Sequence, residues 1–355
     1  MTKEIQIGNS IINKHSPIYF IADIASNHDG SLTKAKELIH MCAEAGSNAV
    51  KFQNFTGETL ICDKAFKKMG NVTHQSSWKE STFDSYNKVS LSIEWSSQLK
   101  EECEKYKIDY FTSPYNLDYI EQLEPYVCAW KIGSGEITFH DSIIKMAKSK
   151  KPIIIATGAS NEQEVIEVVN LVSKLNDHII LMQCNTNYTG SNDNFKFINL
   201  NVLKSFSKLF PNLILGLSDH TPGHATVLGA VALGAKVIEK HFTDNNDLEG
   251  PDHKFSMSPK DWKTMVQRTR ELNLSLGDGF KKVEYNELET VIIQRRGIRA
   301  NRLINKGEII KEIDLNYLRP CSKDCLPPHK KKLILGKTAK LQISKDDPVN
   351  LENVE

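Results

Sequence analysis

The sequence predicts an α/β protein, a closed (β/α)8 TIM barrel followed by a small β-rich domain. Three observations carry that reading. Eight short apolar runs alternate with helix-like stretches between residues 18 and 243. From residue 293 the texture changes to short β runs and turns. The length of 355 residues exceeds the roughly 250 typical of such a barrel by enough for one small domain.

The runs are IYFIADI (18–24), AVKFQ (49–53), DYFTSP (109–114), AWKIG (129–133), PIIIATG (152–158), IILMQC (179–184), LILGLSDH (213–220) and VIEKHFT (237–243). Near-continuous apolar runs of this length suit parallel strands buried on both faces. Helix-like segments such as LTKAKELIHMCAEAG and NEQEVIEVVNLVSKL lie between them, and in the first Leu38, Cys42 and Ala45 fall on one face. Eight such alternations argue for closure rather than an open doubly wound sheet. The opening 16 residues read as an extended pair turning at Gly8-Asn9, placed to close the bottom of the barrel. The stretch 55–108 is long for one β–α unit and carries Trp78, Phe83, Tyr86 and Trp95, which predicts an excursion over the catalytic face. The expected division is a barrel over 1–276, a polar linker over 277–292 and a second domain over 293–355.

The net charge is +1, so nothing predicts a general affinity for nucleic acid or anionic membranes. No run approaches the roughly 18 apolar residues of a membrane span, and the N-terminus lacks a signal-peptide core. A cytoplasmic protein is expected. Seven dispersed cysteines fit reduced thiols better than a disulfide framework. Cys321 and Cys325 stand four apart in a Pro-rich loop with no second pair to complete a zinc site, and read as structural.

Catalytic groups in a TIM barrel stand at the carboxyl ends of the strands. Those positions hold Asp23, Asn27 and His28, then Lys51 and Gln53, Thr112 and Ser113, Lys131, Ser134 and Glu136. Beyond them come Thr157, the run Asn185-Thr186-Asn187-Tyr188, then Ser218-Asp219-His220 and Glu239-Lys240-His241. Neighbouring strands lie about 4.8 Å apart, so His220 and His241 can aim at one point, which suits a divalent metal with open positions. The bland alternative is a histidine bonded to a backbone carbonyl. Lys131 lies within an apolar run, where a lysine is costly unless an anion meets it. Lys51 faces the same space, and with Thr112, Ser134 and Ser218 the pair makes a cradle for a small phosphate-bearing anion. Lys240 is expected to face the helices or a partner.

With these strand ends assembled, the chain resembles the sialic acid synthase family, which includes pseudaminic and legionaminic acid synthases. The matching stretches are IADIASNHDGSLTKAKELI, AVKFQ, FTSPY, KIGSGE, ATG, LGLSDHT, GAKVIEKHFT and GPDHKFSM, in family order. The tail, with NKGEII, LRP and LGKTAKLQISKDDPV, resembles the antifreeze-like (SAF) domain that ends these enzymes. The resemblance implies condensation of phosphoenolpyruvate with an acylamino-hexose, either N-acetylmannosamine or a 2,4-diacetamido hexose, with phosphate leaving by C–O cleavage. It implies that His220 and His241 hold Mn2+ or Mg2+, and that Lys51, Thr112, Lys131, Ser134 and Ser218 hold phosphoenolpyruvate. Gln53, Glu136, Tyr188 and Asp252 match positions facing the sugar. Arg319 matches an arginine inserted into the partner subunit's site of a domain-swapped homodimer. Asp23 or Glu136 is the candidate for steering water and its protons.

The chain departs from the family pattern at several points. Asp23 stands where glutamate is usual. Ala156 replaces a serine of the phosphate cradle, leaving Thr157 as a substitute. Asn185-Thr186 inverts the usual order, so the ligand-contacting asparagine is Asn185 or Asn187. Three rival readings are a synthase of shorter sugar acids from an aldose phosphate, a non-catalytic binding protein built on the SAF-like module, and a two-carboxylate hydrolase. The first needs a second phosphate site that the loops do not supply, and the last would not need Lys131.

Overall fold

A computed structural model describes residues 3–70, 78 and 80–355. It divides into two compact units, 1–277 and 278–355. In the first, strands β1 (Ile5–Ile7) and β2 (Ser10–Ile12) pair antiparallel. The closed barrel follows: β3 (Tyr19–Asp23), β4 (Ala49–Asn54), β5 (Asp109–Pro114), β6 (Trp130–Ile132), β7 (Ile153–Ala156), β8 (Ile179–Cys184), β9 (Ile214–Asp219) and β10 (Val237–His241). All eight run parallel, and β10 returns to pair with β3. Each predicted run therefore forms one stave. Isoleucine is the commonest residue in them because both faces are buried, one by lumen side chains and one by the helices outside.

The helices carry the signals the periodicity implies. Helix Leu32–Glu44 is capped by Ser31 and buries Ala35, Leu38, Ile39 and Cys42. Helix Glu162–Ser173 opens on a capping box between Asn161 and Glu164 and buries four valines. The N-terminal hairpin packs Ile5, Ile7 and Ile12 into the barrel core. Gly8 turns it at φ +52°, and a Cβ there would lie 1.7 Å from Asp109 Oδ1 at the start of β5. That contact puts the hairpin at the amino ends of the strands, opposite the catalytic mouth. The ladder is uneven around the ring: β4 and β5 pair over six positions, whereas β5 meets β6 only at Thr112 and Trp130.

Between β4 and the helix Ser96–Lys105, the chain makes short helices Gly57–Leu60, Asp63–Met69 and Thr82–Lys88. Residues 71–77 and 79 of this predicted excursion lie outside the described residues. The second unit pairs β11 (Gly297–Ala300) with β12 (Leu315–Leu318) around a separate core of Ile298, Ile304, Ile310, Ile334, Ile343 and Val349. The span expected as a polar linker, 277–292, departs from that expectation. It runs into a helix, Leu288–Gln294, and Ile292 O accepts a bond from Cys321 N at 3.0 Å. In the run LETVIIQ the helix formers Leu288, Glu289 and Gln294 stand at the two ends around weaker β-branched residues.

Candidate active site

A cavity of about 370 Å³ opens at the carboxyl ends of the barrel strands. Strand alternation decides which side chains enter it. Paired residues of adjacent strands face the same way, so the registers Asp23↔Lys51, His241↔Asp23 and Glu239↔Ser218 carry one lumen face around the ring. Lys51 Nζ lies 2.7 Å from Asp23 Oδ2 and 3.6 Å from Glu239 Oε1, while Lys131 Nζ lies 3.3 Å from the same glutamate oxygen. All four groups are buried. Ser218 Oγ donates to Glu239 Oε1 at 3.1 Å.

The electrostatics follow from burial and this two-by-two arrangement. Burial alone would lower Lys51, but Asp23 and Glu239 outweigh it and hold the ammonium above its usual range. Lys131 is lowered by burial, which the attraction of Glu239 only partly offsets. Burial pushes the Asp23 carboxyl up to about 6 against the pull of Lys51. Glu239, raised by burial, is brought below its usual value by Lys131 and Lys51. Asp23 Oδ1 and Glu239 Oε2 are buried with no hydrogen-bond partner. A buried charged cluster with open valences is a site built to receive further polar atoms.

The two histidines stand beside it. Their ring centroids are 5.3 Å apart, and His241 Nε2 lies 3.4 Å from Asp23 Oδ2. His220 Nδ1 bonds Asn185 O at 3.1 Å, so the backbone-bonded alternative describes one nitrogen of one ring. Burial and the neighbouring His220 hold His241 well below the usual histidine range, hence neutral, and its Nδ1 is buried without a partner. Among the described residues no group of three or more His, Cys, Asp or Glu is arranged as a metal site. Two imidazoles, one neutral with an orphaned nitrogen, beside a carboxylate nonetheless fit a divalent ion that takes its other ligands from substrate and water. Cys184 also enters the lumen: burial raises its thiol, but His220 outweighs that and brings it to about 7.

Of the residues expected from the sequence, Asp23, Lys51, Gln53, Lys131, Ser134, Tyr188, Ser218, His220, His241 and Asp252 line this one cavity. Ser134 is fixed by accepting from Gly158 N at 3.0 Å. Gly158 must be glycine, since a Cβ there would sit 1.8 Å from Thr186 Oγ1. Asp252 Oδ2 accepts from Ser26 N at 3.1 Å.

Four expected residues, Thr112, Thr157, Asn185 and Glu136, are not among those that line the cavity. Thr112 falls on the outer face, in register with Phe52 and Trp130, and its hydroxyl bonds Phe52 O at 2.9 Å and Asn54 Oδ1 at 2.7 Å. The buried, unpartnered hydroxyl on the lumen register of that strand is Ser113, opposite Gln53. Thr157 does not replace the serine lost at Ala156, because its hydroxyl donates to Met182 O at 2.9 Å while Ala156 lines the cavity. Asn185 contributes its carbonyl to His220 rather than lining the cavity; the following Thr186 lines it. Glu136, raised by burial, is absent from the lining, to which glycines 133 and 135 contribute. Arg319 is exposed in the second unit.

Reading the sequence alone placed Glu239 at a strand end and Tyr86 in the excursion without giving either a role, and missed Cys184 and Tyr115 as lumen or lining groups. For Glu239 the signal was present: strand alternation puts residue 239 on the same face as His241.

Fold and site together define a TIM-barrel enzyme whose chemistry is set at the carboxyl mouth of the strands. A model of the NeuB family matches residues 38–281. The chain belongs to the NeuB family. It is 36% identical over 306 residues to an N,N'-diacetyllegionaminic acid synthase of Campylobacter jejuni, covering 85% of this chain and 90% of that one. A second N,N'-diacetyllegionaminic acid synthase, from Legionella pneumophila, is 33% identical over 95% of this chain and 94% of its own length. Among solved structures, an N-acetylneuraminic acid synthetase of Leptospira borgpetersenii in complex with citrate superposes with a TM-score of 0.71 at 27% identity, covering 82% of this chain and 96% of that one.

Proposed function

We propose that this chain condenses phosphoenolpyruvate with an N-acylamino-hexose, a 2,4-diacetamido hexose or N-acetylmannosamine, to a nine-carbon sialic-type acid. The observation that carries the reading is the buried Lys51–Lys131 pair facing two carboxylates that each keep one unpartnered oxygen. Such a pair has the charge to hold a phosphate-bearing carboxylate and the low dielectric to make that charge count. Lys51, Lys131, Ser134 and Ser218 fix the enolpyruvyl anion so that its C3 faces the open-chain aldehyde, which is catalysis by positioning and charge stabilisation. Gln53, Tyr188 and Asp252, on the wall nearer the excursion, orient the sugar. Asp23, with its raised carboxyl and open Oδ1, is placed to take a proton from the water that adds at C2 before phosphate departs with its bridging oxygen. His220 and His241 would hold Mn2+ or Mg2+, which when bound supplies Lewis-acid polarisation of the aldehyde.

The likeness to the family further supports a SAF-type terminal domain and a cytoplasmic homodimer in which Arg319 enters the sugar pocket of a second copy. Among the described residues no helix is long and apolar enough to cross a membrane. The test is phosphate release from phosphoenolpyruvate against a panel of N-acetylmannosamine, 2,4-diacetamido hexoses and aldose phosphates. Release is expected with one of the acylamino sugars, abolished by chelation and restored by Mn2+ or Mg2+. Release with an aldose phosphate alone, or with none of the panel, overturns the reading.

A further inference from the structure

The second unit holds a pair of thiols that the active site does not use. Cys321 and Cys325 flank a turn closed by Cys325 N donating to Ser322 O at 3.1 Å, with Asp324 O held by Asn350 Nδ2 at 2.7 Å. Inside that turn the Cys321 thiol donates to Cys325 O at 3.4 Å. Both sulfurs crowd the space a side chain on Gly297 would need. A Cβ there would lie 1.9 Å from Cys325 Sγ and 3.5 Å from Cys321 Sγ. Glycine on β11 thus makes room for the pair. Cys325 is buried and Cys321 half-buried, so one thiol is open to a small oxidant and the other is sheltered behind it. Arg299, reaching from β11 to donate to Pro320 O at 2.9 Å, places a cation beside the loop. A half-buried thiol beside a buried second one, with a cation next to the loop, is the arrangement of an attacking and a resolving cysteine.

We infer that Cys321 and Cys325 are a redox pair that closes to an intramolecular disulfide when the chain meets a peroxide. In the first step the Cys321 thiolate attacks one peroxide oxygen. The O–O bond breaks, the sulfur becomes a sulfenic acid and hydroxide leaves. In the second, Cys325 sulfur displaces that hydroxyl, the S–S bond forms, and its thiol proton combines with the departing hydroxide as water. Two thiols lose two electrons in all and hydrogen peroxide is reduced to two waters. The bond sits two residues beyond Arg319, so it braces the segment that carries this arginine. The placement fits the bridge: both sulfurs lie within 3.5 Å of the one point that a Cβ on Gly297 would occupy, so the two side chains already share one side of the turn before they close to about 2.05 Å.

The sequence supplies its own assay, because trypsin cuts after Lys323, between the two cysteines. The full-length folded chain is treated with a small excess of hydrogen peroxide, blocked with an alkylating agent and digested. Peptides 312–323 and 324–330 are expected as one cross-linked species, lighter by two hydrogens than their sum, that separates on reduction with dithiothreitol. Cys325→Ser should abolish the cross-link and leave Cys321 as a trapped sulfenic acid or its further oxidation product. The same treatment in denaturant should form the cross-link many-fold more slowly, since the fold brings the sulfurs together. Three results overturn the inference. They are alkylation of both thiols intact at peroxide levels that oxidise the exposed Cys62; conversion of Cys321 to a sulfinic acid, or to a bridge with another cysteine, while its neighbour stays free; and a cross-link that forms equally fast in denaturant.

Discussion

The two faces of strand β10 present the same chemistry in opposite states of completion. Toward the helices, Lys240 Nζ lies 2.5 Å from Asp219 Oδ2 and 2.6 Å from Thr221 O. Asp219 in turn accepts from Thr226 Oγ1 at 2.6 Å and from the Thr221 hydroxyl at 2.9 Å. Burial would raise that carboxyl, but Lys240 outweighs it and holds the group below its usual value. Toward the lumen, one residue away on either side, Lys131 reaches Glu239 only at 3.3 Å, and Glu239 Oε2, Asp23 Oδ1 and His241 Nδ1 have no partner. A buried polar network satisfied at every member is scaffold. One left open marks where a ligand's atoms belong. The scaffold pair joins the residues immediately preceding His220 and His241, so the closed network holds the open one in place.

The largest expected effect tests the closed side. Asp219→Ala leaves Lys240 buried and unpaired, and should cost about 3–5 kcal/mol of unfolding free energy, read from chemical denaturation of the metal-free chain. A loss under about 1 kcal/mol would show the network to be dispensable. On the open side, Lys131→Ala should raise the phosphoenolpyruvate requirement about tenfold or more, the equivalent of roughly 1.5–3 kcal/mol, with a much smaller change in stability. If its denaturation midpoint fell as far as that of Asp219→Ala, the contrast between the faces would not hold.

His28 offers a smaller test, of a buried group outside the lumen. It packs between Phe52 and Trp95, and burial holds it down at about 4 against an ordinary 6.5. The unfolded chain therefore binds the proton more readily, and stability present above pH 6.5 should fall as pH drops through 6.5 towards 4. His28→Gln should flatten that slope by on the order of 1–2 kcal/mol across the window; an unchanged slope would mean that the ring is already solvated. At the small end, Lys148→Ala, exposed on an outer helix, should shift neither stability nor turnover by more than about 0.5 kcal/mol.

Much of this was legible from residues alone, for a physical reason. Strands buried on both faces have to be apolar runs, so every stave of the barrel announces itself, and polar residues interrupting a run, such as Lys131 and His241, stand out by their cost. Thr112 and Thr157 were misplaced because a hydroxyl carries no such cost signal: it can bond a neighbouring carbonyl as well as a ligand. Which it does depends on register across strands, which local sequence does not encode. Glu239 was named at its strand end but given no role beside a histidine two residues on, although strand alternation ties the two together. The thiol pair at 321 and 325 shows the same limit, since its spacing was visible but the glycine 24 residues upstream that makes room for it was not.

The single pairing between β5 and β6 has a kinetic meaning. A cylinder of hydrogen bonds parts first where it is least stitched, and amide exchange reports such partings directly. The Trp130 amide donates to Pro152 O on the β7 side, so the β6 amide turned to this seam is that of Lys131, which should trade hydrogen for deuterium sooner than the amides of the six-residue seam between β4 and β5. Lys131, the cation on which the proposed anion rests, rides on the looser edge, whereas Lys51 rides on the tighter one. Phosphoenolpyruvate held by both would span the gap from within, so its addition should slow exchange in β6 far more than in β8, whose pairing with β9 runs over five positions. The substrate would then complete the barrel's circumference as well as occupy its mouth.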